Sequence, residues 1–442
     1  MLDRLSHAAR ARADMPAVEV TSVVGPADAD GALLGAAIMR PRTGEEREAF
    51  ALEVAGWVIA REQQATSVQL LTGGVPLREL PIGFARPAVA RALPGVDESI
   101  PCGFHGVLGA LALRPEFALE LVAVLDDGSR IRIGSISGRR ARPSISVAAA
   151  LRPLLVTSLG RSGTTWLMRM LERHPEVVVE PGRTYERTPA RYWGRMLERL
   201  SEPSDPDAPP AAGGASERVG PNPSYSPAAA ADAELGRWLG RTYVDRLADF
   251  CVKSIDDWYL LLARRQGKSG AVYFAEKNFL WPMPERVPVG DLYPDLREIF
   301  LVRDPRDVAC SWLAFHGAKL GEEQILGATL PRLTSQLLAA WRDRGSHAEL
   351  VRYEDLVLHP RRTLGRLLDN LGIDSAREVI GQLASGGGDE MLERHGTSGD
   401  LEATVGRWRT ERDGAFRRRL NELFGEAIAE FGYDQGGDAP VA

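Results

Sequence analysis

The chain has 442 residues, more than one domain ordinarily holds, and 44% of them are apolar, enough to fill at least one large core. Its formal charge of -6 removes the global positive field of a nonspecific nucleic-acid binder, so no nucleic-acid partner is expected and any anionic ligand needs a local site. Cys102, Cys251 and Cys310 are too few and too scattered for a disulfide framework; they predict buried thiols in a reducing, cytoplasmic compartment.

The opening residues lack the continuous apolar stretch of a leader, and no later run reaches the length of a transmembrane span. Between about 16 and 138, short apolar runs at 18–24, 32–38, 50–59, 67–71 and 118–125 alternate with turn residues, which predicts an all-β, sandwich-like domain. Asp126-Asp127-Gly128 followed by Ile131-Arg132-Ile133-Gly134 predicts a hairpin. Cys102-Gly103-Phe104-His105 has a metal-like spacing, but no second pair completes it and no metal site is predicted. Residues 137–153 are basic and irregular and read as a linker, which places a smaller β-rich accessory domain at 1–145 and a second domain at 150–436.

Beyond Pro153, apolar strands at 154–157, 272–275, 299–302 and 350–353 alternate with amphipathic helical segments. This is the pattern of an α/β domain with a parallel sheet, whose ligands bind where strands end and helices begin. Residues 201–231, dense in Pro, Ala, Gly and Ser, predict a disordered insert or mobile flap.

Two strand-to-helix junctions carry the chemistry. The first, Leu154 through Trp166, passes Ser158-Leu159-Gly160-Arg161-Ser162-Gly163-Thr164-Thr165. Its glycines permit a tight hollow of backbone N–H groups at a helix N-terminus, a place for an anion. A Walker loop would need glycine at 158 and lysine at 164; Ser158 and Thr164 break that pattern, and Arg161 supplies the cation. The second junction, Ile299 through Trp312, places Arg303 at a strand end and Ser311 on the following helix. Asp304 reads there as the N-cap, Pro305 as N1 and Asp307 as a capping-box acid.

Together these segments resemble the 3′-phosphoadenosine 5′-phosphosulfate (PAPS)-dependent sulfotransferase family of the bacterial type, over about residues 153–433. Ser162-Gly163-Thr164-Thr165-Trp166 resembles its 5′-phosphosulfate loop, with Arg161 where many members have lysine. The resemblance implies that Gly160, Arg161, Ser162, Gly163, Thr164, Thr165 and Trp166 hold that end of PAPS, and that Arg303 and Ser311 hold its 3′-phosphate. Gly406-Arg407-Trp408-Arg409 resembles the mobile basic loop that closes over the nucleotide, which adds Arg407. By the same resemblance Lys277 and Arg161 stabilise the leaving group, and Glu180, with Glu186 as rival, takes the acceptor proton. The segment 351–360 also resembles members of the family and is read as structural. The insert after Leu200 departs from the compact family pattern.

The β-rich first domain, similar to modules that accompany bacterial glycosyl- and sulfotransferases, points to a saccharide or glycoconjugate hydroxyl as acceptor; a tyrosine phenol is the alternative. Arg183, Tyr185, Arg187, Arg191, Tyr192 and Trp193 either line the acceptor cleft or form an amphipathic helix. A P-loop kinase and a binding module without turnover are the competing functions, the kinase lacking its Walker lysine and magnesium-holding aspartate.

Overall fold

The computed structural model describes residues 16–26, 31–182, 185–202, 238–279, 289–385 and 401–434. Apart from Ser201 and Glu202, the predicted insert at 201–231 lies outside the described residues. The described residues fall into two compact units, one within 1–147, 193–252 and 283–292, the other within 148–192, 253–282 and 293–442.

In the first unit, β1 (Val18–Val24), β2 (Leu33–Arg40), β3 (Glu46–Arg47), β4 (Ala51–Ala60), β5 (Ala65–Thr72), β6 (Val75–Ala85), β7 (Pro101–Gly109), β8 (Glu116–Leu125) and β9 (Arg130–Arg140) form one antiparallel sheet. Its order is β2-β4-β7-β6-β5-β8-β9-β1-β3. Strand β8 shows the period-two logic, with Phe117, Leu119, Leu121, Ala123 and Leu125 buried in alternation with exposed or half-buried neighbours. Strands β6 and β7 escape a reading of apolar runs because Pro76, Pro81, Gly83, Gly103 and Gly106 look like turn residues. At Gly103 a Cβ would lie 2.3 Å from the Phe84 ring, so glycine there serves close packing and not a turn.

The predicted linker is corrected at its start: β9 continues through Arg139 and Arg140. Arg140 is fully buried, donating to Asp291 Oδ2 at 2.5 Å and to the Leu113 and Ala141 carbonyls at 2.7 and 2.9 Å. Removing one partner of such a pair leaves an uncompensated buried charge, a loss of about 3–5 kcal/mol. The basic run that reads as a linker is therefore partly core.

The second unit is built on a parallel sheet of β10 (Arg152–Ser158), β11 (Val177–Val179), β12 (Tyr273–Asn278), β13 (Arg297–Val302) and β14 (Ala348–Arg352), in the order β11-β12-β10-β13-β14. Ile299 and Leu301 of β13 join a core with α1 (Thr164–Arg173), α7 (Pro360–Leu371) and the neighbouring strands. Phe300 and Val302 point the other way, into a core with α4 (Pro305–Leu320), α5 (Leu330–Arg342) and α9 (Gly414–Glu430). Both faces are covered, which is why these strands read as unbroken apolar runs. The remaining helices used below are α2 (Pro189–Leu200), α3 (Tyr243–Arg265), α6 (Tyr353–Leu358) and α8 (Arg377–Ser385). The sheet therefore presents Ser158, Asn278 and Val302 along one carboxyl edge, and the predicted motifs begin there.

Among the described residues no helix is long and apolar enough to cross a membrane. All three cysteines are buried and free of disulfides.

Candidate active site

The chain leaves β10 at Ser158 and enters α1 at Thr164 through a loop in which Arg161 and Gly163 are left-handed, with φ of 73° and 86°. Positive φ at these positions turns the intervening N–H groups towards one side, as an anion nest requires. A Cβ on Gly163 would lie 2.5 Å from the Tyr353 ring, so the turn excludes any side chain. Ser162 is 1% exposed and its Oγ has no hydrogen-bond partner, a costly state unless a ligand completes it. Gly160 accepts from Trp312 Nε1 at 3.0 Å, tying the loop to α4. Thr164 and Thr165 open α1, and Thr165 Oγ1 accepts from Lys277 Nζ at 2.8 Å. Trp166 is buried and meets Tyr353 edge-on, with ring centroids 6.1 Å apart, so it supports the loop from beneath.

The second junction brings in the basic groups. Asp304 caps α4 as predicted, accepting from the Arg306 N–H at 3.0 Å, with Pro305 at N1. Asp307 does not close a capping box: its carboxylate accepts from the backbone N–H groups of Gly406 at 2.7 Å and Trp408 at 2.9 Å. The reason is tertiary, since a loop a hundred residues downstream presents two N–H donors to it. Burial pushes the Asp307 carboxyl up to about 7.

Arg303, at the end of β13, donates to the carbonyls of Arg161 at 3.0 Å and Thr404 at 2.6 Å and lies 4.7 Å over the Tyr353 ring. Its Nε is buried without a partner. Arg161 donates to Ser311 Oγ at 3.2 Å and stacks 4.4 Å over Phe315. Burial lowers the affinity of the Arg161 guanidinium for its proton, and the positive charges of Arg303 and Arg407 lower it further. Arg407 is itself buried and ion-paired through Nε to Glu411. The structure thus brings together Arg161, Arg303, Arg407 and Ser311, predicted from two separate motifs and a distant loop. Three guanidiniums this close repel one another, and a multiply charged anion among them relieves that repulsion.

Lys277 and Glu180 lie on and just after the neighbouring strands β12 and β11. Lys277, on β12, is 2% exposed; burial lowers its amine to about 8, with Glu186 acting in the opposite direction. Its Nζ is 5.9 Å from the Tyr185 ring centroid and 5.1 Å from that of Phe279. Glu180 follows β11 and is buried, with Oε1 accepting from Arg187 Nη1 at 2.9 Å and Oε2 left without a partner. The rival Glu186 is exposed, and Arg183 lies outside the described residues.

Sequence reasoning missed Glu276, the residue before Lys277. Its Oε1 accepts from Tyr259 Oη on α3 at 2.6 Å and from the Ala190 N–H at the start of α2 at 2.8 Å, and burial pushes the carboxyl up to about 7. A glutamate inside the apolar strand Tyr273-Phe274-Ala275 was the available signal. Tyr353 and Thr404 were also missed: Tyr353 Oη and Thr404 Oγ1 are 2.8 Å apart, beneath Arg303. The segment that reads as structural therefore forms the floor of the site.

The profile of the sulfotransferase family matches residues 153–377, just over half the chain. Nodulation protein NoeE of Sinorhizobium fredii (strain NBRC 101917 / NGR234) is 26% identical over 335 residues, which cover 64% of this chain and 67% of that protein. Among solved structures, the sulfotransferase domain of the Synechococcus PCC 7002 olefin synthase is 21% identical with a TM-score of 0.38, covering 66% of this chain and 98% of that one. The sulfotransferase from Alicyclobacillus acidocaldarius is 16% identical with a TM-score of 0.34, covering 64% of this chain and 97% of its own.

Proposed function

The chain belongs to the sulfotransferase family, and from that premise we propose that it transfers a sulfuryl group from PAPS to a hydroxyl of a saccharide or glycoconjugate. The observation that carries the choice of donor is the cluster of Arg161, Arg303 and Arg407, with Arg161 bonded to Ser311, next to a nest with an unsatisfied Ser162 Oγ. A nucleotide with phosphate groups at both ends of its ribose meets both features; AMP or ATP lacks the 3′-phosphate that the arginines suit.

In the reaction the acceptor oxygen attacks sulfur in line, the bond from sulfur to the 5′-phosphate oxygen breaks, and the acceptor proton goes to Glu180. The products are a sulfate ester and 3′-phosphoadenosine 5′-phosphate (PAP). Glu180 is suited to this because Arg187 holds one of its oxygens while the other is buried and uncommitted. The Lys277 ammonium, held by Thr165 at the first turn of α1, and the loop N–H groups offset the negative charge that develops on the leaving phosphate. The exposed Phe279 ring beside Lys277 offers an aromatic face to the C–H face of a sugar, which supports the saccharide reading.

Calorimetric titration with PAP, AMP and ATP in the absence of magnesium tests the donor site: PAP should bind at least tenfold more tightly than the others, and equal binding refutes it. Labelled PAPS supplied with a glycan panel and with tyrosine peptides tests the acceptor. Transfer to the peptides alone would replace the saccharide by a phenol.

A further inference from the structure

The basic turn that carries Arg407 has no sheet or helix of its own to place it. It is a single 3-10 turn, Arg407–Arg409, entered through Gly406 at a left-handed φ of 72°. Its backbone is tied instead to the start of α4. Asp307 is wholly buried, and its two carboxylate oxygens separately accept from Gly406 and Trp408, the residues on either side of Arg407. One turn further along the same helix stands Ser311, the partner of Arg161. Thr404, before the turn, is held by Arg303 of the same junction on its carbonyl and by Tyr353, at the start of α6, on its hydroxyl. Arg306 lies 3.7 Å over the Trp408 ring. A buried carboxylate is costly unless both oxygens are satisfied, and here both are satisfied by the main chain of one turn, which fixes the turn's position relative to α4.

We propose that Asp307 is the positioning residue that sets Arg407 against the nucleotide, by clamping the two backbone N–H groups that flank it. The proposal rests on the PAPS reading above. It makes Asp307 a determinant of donor affinity and leaves the chemical step to Lys277 and Glu180. The charged groups facing Asp307 are Arg303, from the end of β13, and Asp304, from the N-cap of α4. Both are unchanged by substitutions in the turn itself.

The experiment is a double-mutant cycle on the full chain with Asp307→Asn, Arg407→Ala and the pair, reading PAP affinity by calorimetry and KM for PAPS against kcat. Asparagine keeps the shape but turns an NH2 towards one of the two N–H donors. Asp307→Asn should weaken PAP by about tenfold and raise KM for PAPS in parallel, with kcat at saturating PAPS within about threefold of the parent. In the Arg407→Ala background the same substitution should add less than about twofold, because it acts through that arginine. Gly406→Ala strains the turn from the other side, in open space where a new Cβ meets nothing closer than 3.9 Å, and should also weaken PAP without unfolding the chain. Failure of the parent protein to bind PAP overturns both this inference and the donor reading. If the parent binds PAP and Asp307→Asn or Gly406→Ala binds it equally well, the clamp alone is refuted. An undiminished Asp307→Asn effect in the Arg407→Ala background refutes it as well, since Asp307 would then act by another route.

Discussion

Lys277 offers a test in which stability and activity should move in opposite directions. Its amine, ordinarily near 10.5, is lowered to about 8 because burial disfavours the ammonium. At 1.36 kcal/mol per unit, holding it charged in the fold costs about 3 kcal/mol. A folded-state value below the unfolded one means that the unfolded chain binds the extra proton between pH 8 and 10.5. The penalty is therefore complete at pH 7 and fades as the pH rises through that window. Lys277→Met replaces the charge with an unbranched side chain of similar length. The variant should be more stable than the parent at pH 7 by on the order of 1–3 kcal/mol, and the advantage should vanish near pH 10. Its sulfuryl transfer should fall by at least a hundredfold, the scale of losing one preorganised group that stabilises developing charge. Urea unfolding at pH 7 and pH 10, beside initial rates with labelled PAPS, reads both. A variant that is less stable at pH 7, or one that keeps its turnover, refutes the reasoning.

Glu180→Gln should keep the fold and cut turnover by two to four orders of magnitude, the usual span of base catalysis, while PAP binding is unchanged; rates within a few fold of the parent would reassign the base. Gly163→Ala meets the Tyr353 ring at 2.5 Å and forces a residue with a Cβ into a φ of 86°. The backbone strain alone costs about 1–2 kcal/mol, so a lowered melting temperature and a loss of PAP binding are expected together. Glu276, raised from 4.5 to about 7, keeps its proton in the fold where the unfolded chain has lost it. Stability should therefore decline as the pH rises from 4.5 to 7 and then level off. Glu276→Gln, which removes that titration, should gain on the parent progressively from pH 4.5 to 7, by about 3 kcal/mol in all, measured by denaturant unfolding.

The strand-to-helix junctions at Ser158–Thr164 and Val302–Pro305 were legible because their chemistry is local: glycine for a positive φ, proline at the first helical position, and apolar runs that end where the turn begins. The parallel sheet followed from the same alternation, and the antiparallel domain from period-two runs such as β8. What escaped was decided by partners distant in sequence. Asp307 has the spacing of a capping acid and becomes a clamp only because Gly406 and Trp408 arrive beside it. Arg140 looks like part of a basic linker until β9 carries it to Asp291. Glu276 is one charge in an apolar strand until Tyr259 and the N-terminus of α2 converge on it. A sequence specifies the groups that can bind an anion or move a proton, since those are properties of residues and their neighbours along the chain. Which groups share one dielectric pocket, and so which repel, clamp or lose a proton, is set by burial and by contacts that only the tertiary fold creates.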